Sequence, residues 1–107
     1  MKIEDIEKAD YKIYEPSKLD GDCVTCLYQK RFTDEVGIKY FITINKWDYS
    51  RYKIDEPIRY ESHIQYYYTK DRKALDVTFH WDWELAEVEE FAEKIWNDNN
   101  FEYYERW

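Results

Sequence analysis

The chain has 107 residues, of which 24 are acidic and 16 basic, and 21% of them are aromatic. This length fits one domain and hardly two, and the apolar and aromatic content excludes an intrinsically disordered chain. The net charge of −8 argues against generic binding to nucleic-acid phosphates, which needs clustered lysine and arginine, and no apolar run approaches the ~20 residues of a membrane span. We therefore expect a single domain over residues 1–107, and the acidic N-terminus, which lacks the apolar segment of a signal peptide, favours the cytoplasm.

The first 22 residues predict a short helix followed by a loop. Ile3 and Ile6 have helical spacing, which indicates a helix over residues 2–9. Residues 10–15 alternate in polarity and are either a short strand or a lead-in to the next element. Residues 15–22 contain a proline and an Asp-Gly pair, which are typical of a loop.

Four runs rich in β-branched and aromatic residues follow, and they predict four strands. These runs are residues 23–33, 38–47, 58–69 and 74–81. Alternate positions in each run are mainly apolar, and Ile58 and Leu75 belong to this apolar set. The other positions are mostly polar, so we expect an antiparallel sheet with one buried face and one face in solvent.

The last long element is an amphipathic helix predicted over residues 83–98. Its apolar residues recur every three or four positions from Leu85 to Trp96, and Asp82 is the predicted N-cap. This apolar stripe must be covered, and the sheet is the only candidate. We therefore expect an α+β fold, in which a four-stranded antiparallel meander sheet has one face covered by the C-terminal amphipathic helix, plus a short N-terminal helix. The tail, residues 101–107, is aromatic enough to dock onto this body.

No motif identifies a catalytic centre or a cofactor site. Gly21 and Gly37 are the only glycines, which excludes phosphate-binding loops and dinucleotide fingerprints. Cys23 and Cys26 lie in a predicted strand, where positions three apart point to opposite faces, so neither a shared metal nor a disulfide is expected. We therefore predict no metal, no cofactor and no enzymatic activity.

His63 and His80 are the only histidines, and both fall on the polar face of neighbouring predicted strands. Glu61 and Asp76 share that face, and these residue types are compatible with a metal site or an acid–base pair. Solvated histidines on an open sheet face are the simpler interpretation. A small metal-dependent or acid–base-dependent enzyme is therefore an alternative to the main prediction.

The negative charge is concentrated at the C-terminal end. Residues 82–107 contain nine acidic and two basic residues, whereas residues 23–81 contain eight acidic and ten basic ones. Helical carboxylates three or four positions apart repel each other, but at ~4.5–6 Å spacing along the helix they can imitate the phosphates of DNA. A solvated helix face is the alternative. The acidic residues predicted to contact a partner are Glu84, Glu87, Glu90, Glu93 and Asp98.

Aromatic residues on the polar face and in the connection after the second strand form a second predicted contact surface. Tyrosine and tryptophan dominate binding hot spots, although cross-strand pairing or cover by the tail is an alternative. Burial of the strand aromatics against a second copy would instead make the chain a homo-oligomeric structural module. The aromatic residues predicted to contact a partner are Phe41, Trp47, Tyr49, Tyr52 and Tyr67.

In size, acidity and aromatic content the chain is similar to small phage inhibitors, such as anti-CRISPR or anti-restriction DNA mimics, and to immunity proteins or antitoxins that block a nuclease. This similarity implies a binding protein that inhibits another protein through that protein's basic, nucleic-acid-binding surface. Charge would steer such an association, which would weaken as salt is added. We expect no direct binding to nucleic acid or to a membrane.

Overall fold

The computed structural model describes residues 1–14, 24–49, 53, 55–68, 73–80 and 83–106. Two helices and six strands lie in this part of the chain. Their bounds are α1 (Ile3–Lys8), β1 (Lys12–Tyr14), β2 (Val24–Thr33), β3 (Gly37–Trp47), β4 (Arg59–Tyr68), β5 (Lys73–Phe79), α2 (Leu85–Asp98) and β6 (Glu105–Arg106). Neither of these helices is long and apolar enough to cross a membrane.

The strands form one antiparallel sheet in the order β1-β2-β3-β4-β5, and β6 pairs with the beginning of β3. The predicted α+β fold, with an antiparallel sheet, a C-terminal helix and a short N-terminal helix, is confirmed. The prediction of four strands is wrong, because Lys12–Tyr14 forms a fifth strand along the outer edge of β2. Three residues are too few for alternation to distinguish a strand from a lead-in, yet they pair the backbone of Leu27, Tyr28 and Gln29.

The hydrophobic core lies between the sheet and the two helices. Alternate residues of the strands meet the apolar stripe of α2, as the two periodicities predict. Two members of the predicted apolar set are nevertheless exposed, because Ile58 precedes β4 and Leu75 lies on the edge strand β5. The buried cluster comprises Ile6, Tyr11, Tyr28, Tyr40, Ile42, Ile44, Ile64, Tyr66, Phe79, Leu85, Val88 and Ala92.

A register shift in β3 brings Lys39 to the same side of the sheet as its neighbour Tyr40. Phe32 pairs with Tyr40 but Thr33 pairs with Ile38, so Lys39 is an extra residue in β3. Strict alternation would put Lys39 on the open face, whereas the bulge directs its ammonium group to a carboxylate on α2. The bulge therefore creates a polar contact between the sheet and the helix.

The C-terminal tail docks beside the beginning of β3, as its aromatic content predicts. The backbone N–H of Tyr104 donates to the carbonyl oxygen of Ile38 at 2.9 Å. Phe101 stacks on Tyr66, with ring centroids 4.5 Å apart. The tail thus extends the sheet with its backbone and the core with its side chains.

α2 begins at Leu85 with Glu84 as its N-cap residue, so the prediction of Asp82 as the N-cap is wrong. Asp82 itself lies outside the described residues. The carboxylate of Glu87 accepts a hydrogen bond from the backbone N–H of Glu84 at 3.1 Å. A negative charge in the first turn also interacts favourably with the helix dipole. Glu87 therefore stabilises the start of α2 in addition to being exposed.

Candidate functional site

The five acids of α2 that were predicted to contact a partner do not share one environment. Glu84, Glu87, Glu90 and Asp98 are exposed, whereas Glu93 is half-buried against the sheet. We call the four exposed carboxylates the acidic helix face. From Glu84 to Asp98 this face extends about 21 Å along the helix axis. It is interrupted by one exposed base, Lys94.

Glu93 is held by the sheet. Lys39 Nζ donates to its two carboxylate oxygens at 2.7 and 2.8 Å, and the hydroxyl of Tyr40 donates to it at 2.7 Å. Burial alone would raise the pKa of the Glu93 carboxyl, but the hydrogen bonds from Lys39 and Tyr40 outweigh it and hold that pKa below its ordinary value. Because its charge is paired with Lys39, we leave Glu93 out of the acidic helix face, and its contact with a partner stays a prediction.

α1 lies beside the first half of α2 and contributes one more carboxylate there. The hydroxyl of Tyr11, which follows α1, donates to Glu89 Oε1 at 3.0 Å. A shallow cavity between the helices is lined by residues that include Asp5, Lys8 and Glu84. Asp5 is exposed and so adjoins the acidic helix face. Nothing in the spacing of the sequence pairs α1 with α2, which is why Asp5 was not predicted.

Phe41 and Tyr67 lie on the open face of the sheet, but the tail covers both. The ring of Tyr104 lies edge-on to Phe41, with centroids 4.8 Å apart, and 5.3 Å from the ring of Tyr67. Burial and the nearby charge of Asp76 raise the pKa of Tyr104. Cover by the tail, the alternative that the sequence allowed, is therefore present. Contact of Phe41 and Tyr67 with a partner stays a prediction, and Tyr104 reduces the ring surface available for it.

The remaining predicted aromatics lie at the other end of β3. Trp47 and Tyr49 are half-buried and their rings stack, with centroids 6.3 Å apart. Tyr52 lies outside the described residues, and so does Cys23 of the predicted cysteine pair. The aromatic contact surface expected from the sequence is thus divided between the part of the sheet that the tail covers and the C-terminal end of β3.

A network of hydrogen-bonded side chains crosses β4 and β5 on the open face. The carboxylate of Glu61 contacts His63 Nε2 at 2.7 Å and His80 Nδ1 at 3.1 Å. On its other side, His63 Nδ1 lies 3.3 Å from Asp76 Oδ1 and 3.1 Å from Thr78 Oγ1. The strand register thus brings together both histidines and the two acids that the sequence placed on one face.

Both ring nitrogens of His63 have partners within this network. A protonated imidazolium can donate to both carboxylates, and a neutral ring with its proton on Nε2 can accept from the Thr78 hydroxyl. The arrangement can hold a proton, but His63 directs no unshared nitrogen towards a substrate. Across the described ranges, no group of three His, Cys, Asp or Glu side chains is arranged to hold a metal ion.

The opposite edge of the sheet is basic. A cavity of about 540 Å³ beside β1 and β2 is lined by residues that include Lys12, Lys30 and Arg31, with Asp10 as its acidic member. Lys30 Nζ donates to the carbonyl oxygen of Ala9 at 2.7 Å, which places a cation at the end of α1. The charge asymmetry of the sequence therefore corresponds to separate surfaces.

The chain was compared with protein families, with curated proteins and with solved structures. None of the three comparisons found a match.

Proposed function

We infer that this chain is a small acidic binding protein that inhibits another protein by occupying its basic, nucleic-acid-binding surface with the acidic helix face. The observation that carries this proposal is that four carboxylates of α2 stay exposed while the sheet neutralises Glu93. Lys94 is the one exposed base among them within α2. A surface of this kind attracts cationic partners from a distance and loses that attraction as salt is added.

The spacing of the acidic helix face supports a basic groove as its target. Glu84, Glu87 and Glu90 follow at intervals of three residues, or about 4.5 Å of helical rise. One strand of DNA presents a phosphate every ~3.4 Å of axis. A groove that spaces its lysines and arginines for phosphates can therefore meet these carboxylates. Repulsion between Glu87 and Glu90 costs stability in the free chain, and a cationic partner would relieve it.

Two kinds of protein act in this way. One is a phage inhibitor of the anti-CRISPR or anti-restriction type, in which a DNA mimic blocks a nucleic-acid-binding complex. The other is an immunity protein or antitoxin that blocks a nuclease. Both meet their partners inside the cell, and the cytoplasm is the compartment that we propose. Neither requires a cofactor, a membrane or direct contact with nucleic acid.

An acid–base enzyme is the second candidate, and the network of hydrogen bonds around His63 favours it. Its carboxylates and imidazoles are close enough to share protons. Against it, the partners of His63 are all supplied by the protein itself, so a substrate would have to displace one of them. Replacing His63 by Asn should abolish an enzymatic activity but leave partner binding by the acidic helix face unchanged, which separates the two candidates.

Charge reversal on α2 tests the binding proposal. The immobilised chain is used at low salt to capture proteins from a host extract, and the captured protein is then purified for affinity measurements. The double variant Glu90→Lys with Asp98→Lys should weaken its binding by about 100-fold or more, because two cations then face a basic surface. Glu93 is left unchanged in this variant because it holds Lys39.

The matched control is the double variant Glu35→Lys with Asp55→Lys, which changes the net charge equally at exposed positions outside the helices. It should weaken binding by about fivefold or less, since only long-range attraction is reduced. Equal losses in the two double variants would mean that net charge alone, rather than the acidic helix face, binds the partner. Capture of acidic or neutral proteins alone, with no salt dependence, would contradict the proposal.

A further inference from the structure

The two edges of the sheet differ in length and regularity. β1 is an edge strand of three residues, whereas β5 pairs with β4 over seven residues without a register shift. Among the described strands, β5 has a neighbour on one side only. A long, regular edge strand without proline or a bulge presents a row of backbone N–H and C=O groups, and such edges pair with another strand. The β5 edge is therefore the better candidate for association.

Two exposed apolar side chains flank this edge on the helix side. Leu75, near the start of β5, is 43% exposed, and Phe91 of α2 is 42% exposed. Phe91 packs on Phe79 at the other end of β5, with ring centroids 6.0 Å apart. Each end of the strand thus carries an apolar group that is incompletely covered within one chain.

A second copy of the chain matches this pattern. Two β5 strands can pair antiparallel about a twofold axis perpendicular to the sheet. The register that pairs every residue of Leu75–Phe79 with the same segment of the second copy has Val77 on the axis. In that register Leu75 lies opposite Phe79 of the second copy, and therefore beside the Phe91 ring that packs on it. The contact is reciprocal, as a twofold interface requires. The two exposed apolar groups thereby cover each other.

Charge agrees with the same register. Centring the pairing on Asp76 would place two carboxylates directly opposite each other, which is destabilising. Centring it on Val77 places Asp76 opposite Thr78 instead. The register centred on Val77 thus avoids opposing like charges and pairs the exposed apolar groups.

We propose that two copies of this chain associate through their β5 edges to form one continuous antiparallel sheet, with Leu75 of each copy packed against Phe79 and Phe91 of the other. The twofold axis keeps both α2 helices on the same side of that sheet. The interface adjoins the acidic helix face, because Phe91 lines one cavity with Glu87 and Glu90, but the proposal does not rest on the proposed function. It also differs from burial of Phe41 and Tyr67 against a second copy, because the tail covers those two rings.

Sedimentation equilibrium of the full chain, up to about 1 mM, tests the proposal. Each copy carries a net charge of −8, so dimerisation should strengthen between about 0.05 and 0.5 M salt as repulsion is screened. This salt dependence is opposite to that expected for a basic partner. A dimer that forms while partner capture fails, or the reverse, therefore distinguishes the two proposals.

Leu75→Lys should raise the dimer dissociation constant by about tenfold or more, because it puts a charge against the apolar ring of the second copy. The control Ile13→Lys adds the same charge at a 59% exposed residue of the other edge strand, and it should change that constant by about twofold or less. Hydrogen exchange of the unsubstituted chain gives a second measurement, since β5 amides should exchange more slowly as concentration rises.

Three results would overturn the proposal. One is a strict monomer at about 1 mM in high salt, which would leave the edge to a strand from a different protein. Another is a dimer that Leu75→Lys and Ile13→Lys weaken equally, or that Leu75→Lys does not weaken. The last is a dimer whose formation leaves the exchange of the β5 amides unchanged.

Discussion

The variant Glu93→Lys is expected to lower the free energy of unfolding by about 2 kcal/mol. The Lys39 side chain is only 11% exposed, and its ammonium group donates to both oxygens of Glu93. Removing Glu93 leaves the buried ammonium group of Lys39 poorly solvated, and a second lysine adds repulsion. This loss is smaller than the ~3–5 kcal/mol expected for a fully buried pair because the Glu93 side chain is 44% exposed. Denaturant unfolding followed by circular dichroism measures the loss.

Glu90→Lys is the matched control, one turn away on the same helix. Its carboxylate is exposed, so the same reversal should change the free energy of unfolding by less than about 1 kcal/mol, since exposed charges on a helix contribute little. Exchanging the charges, with Lys39→Glu and Glu93→Lys together, should recover part of the loss because opposite charges face each other again. Equal destabilisation by Glu93→Lys and Glu90→Lys would contradict the role assigned to Glu93.

The second large effect is expected in alkali, where unfolding should become easier as the pH rises above 10. Burial raises the pKa of Tyr11, Tyr40 and Tyr66 above the ordinary value of 10.0, with further contributions from Glu89 at Tyr11 and from Glu93 at Tyr40 and Tyr66. The protonated hydroxyls are therefore favoured in the folded chain, and this stabilisation is present below pH 10. Above that pH these tyrosines ionise in the unfolded chain before they do in the folded one. Each of them therefore lowers the free energy of unfolding by about 1.4 kcal/mol per pH unit.

The slope of stability against pH identifies the tyrosines responsible. Tyr66 is fully buried and its hydroxyl donates to the carbonyl oxygen of Ala92 at 2.7 Å. Tyr66→Phe should therefore make the slope of the free energy of unfolding above pH 10 shallower by about 1.4 kcal/mol per pH unit, which is the contribution of one proton. The control Tyr14→Phe removes the hydroxyl group of an exposed ring on β1 and should leave the slope unchanged. A slope that neither substitution alters would contradict the assignment of buried, protonated tyrosines.

Local patterns in the sequence were sufficient for the layers of the fold. Alternation along the strands placed Ile42, Ile44 and Ile64 in the core, and the helical spacing of Leu85 and Val88 placed α2 over them. These predictions succeed because burial of one face is the dominant constraint on each element. The same patterns placed His63 and His80 on one face, and the register of β4 and β5 then brought them within reach of a shared carboxylate.

Features that depend on strand register and on distant pairing could not be predicted from local patterns. The bulge that turns Lys39 towards the helix is visible only when β2 and β3 are aligned. Glu93, the partner of Lys39, is 54 residues away along the chain. The acids of α2 therefore looked equivalent in the sequence, although Glu93 pairs with the sheet. Cover of Phe41 by Tyr104 likewise depends on where the tail docks. In each case a single-residue shift in pairing would give a different contact.

Competition with duplex DNA for the captured partner is the most direct test of the claim that the acidic helix face occupies a nucleic-acid-binding surface. If it does, the chain and a short DNA duplex should exclude each other, and the apparent dissociation constant of the chain should rise in proportion to the free DNA. A complex containing the partner, the DNA and this chain together, with an affinity that DNA does not change, would contradict the account.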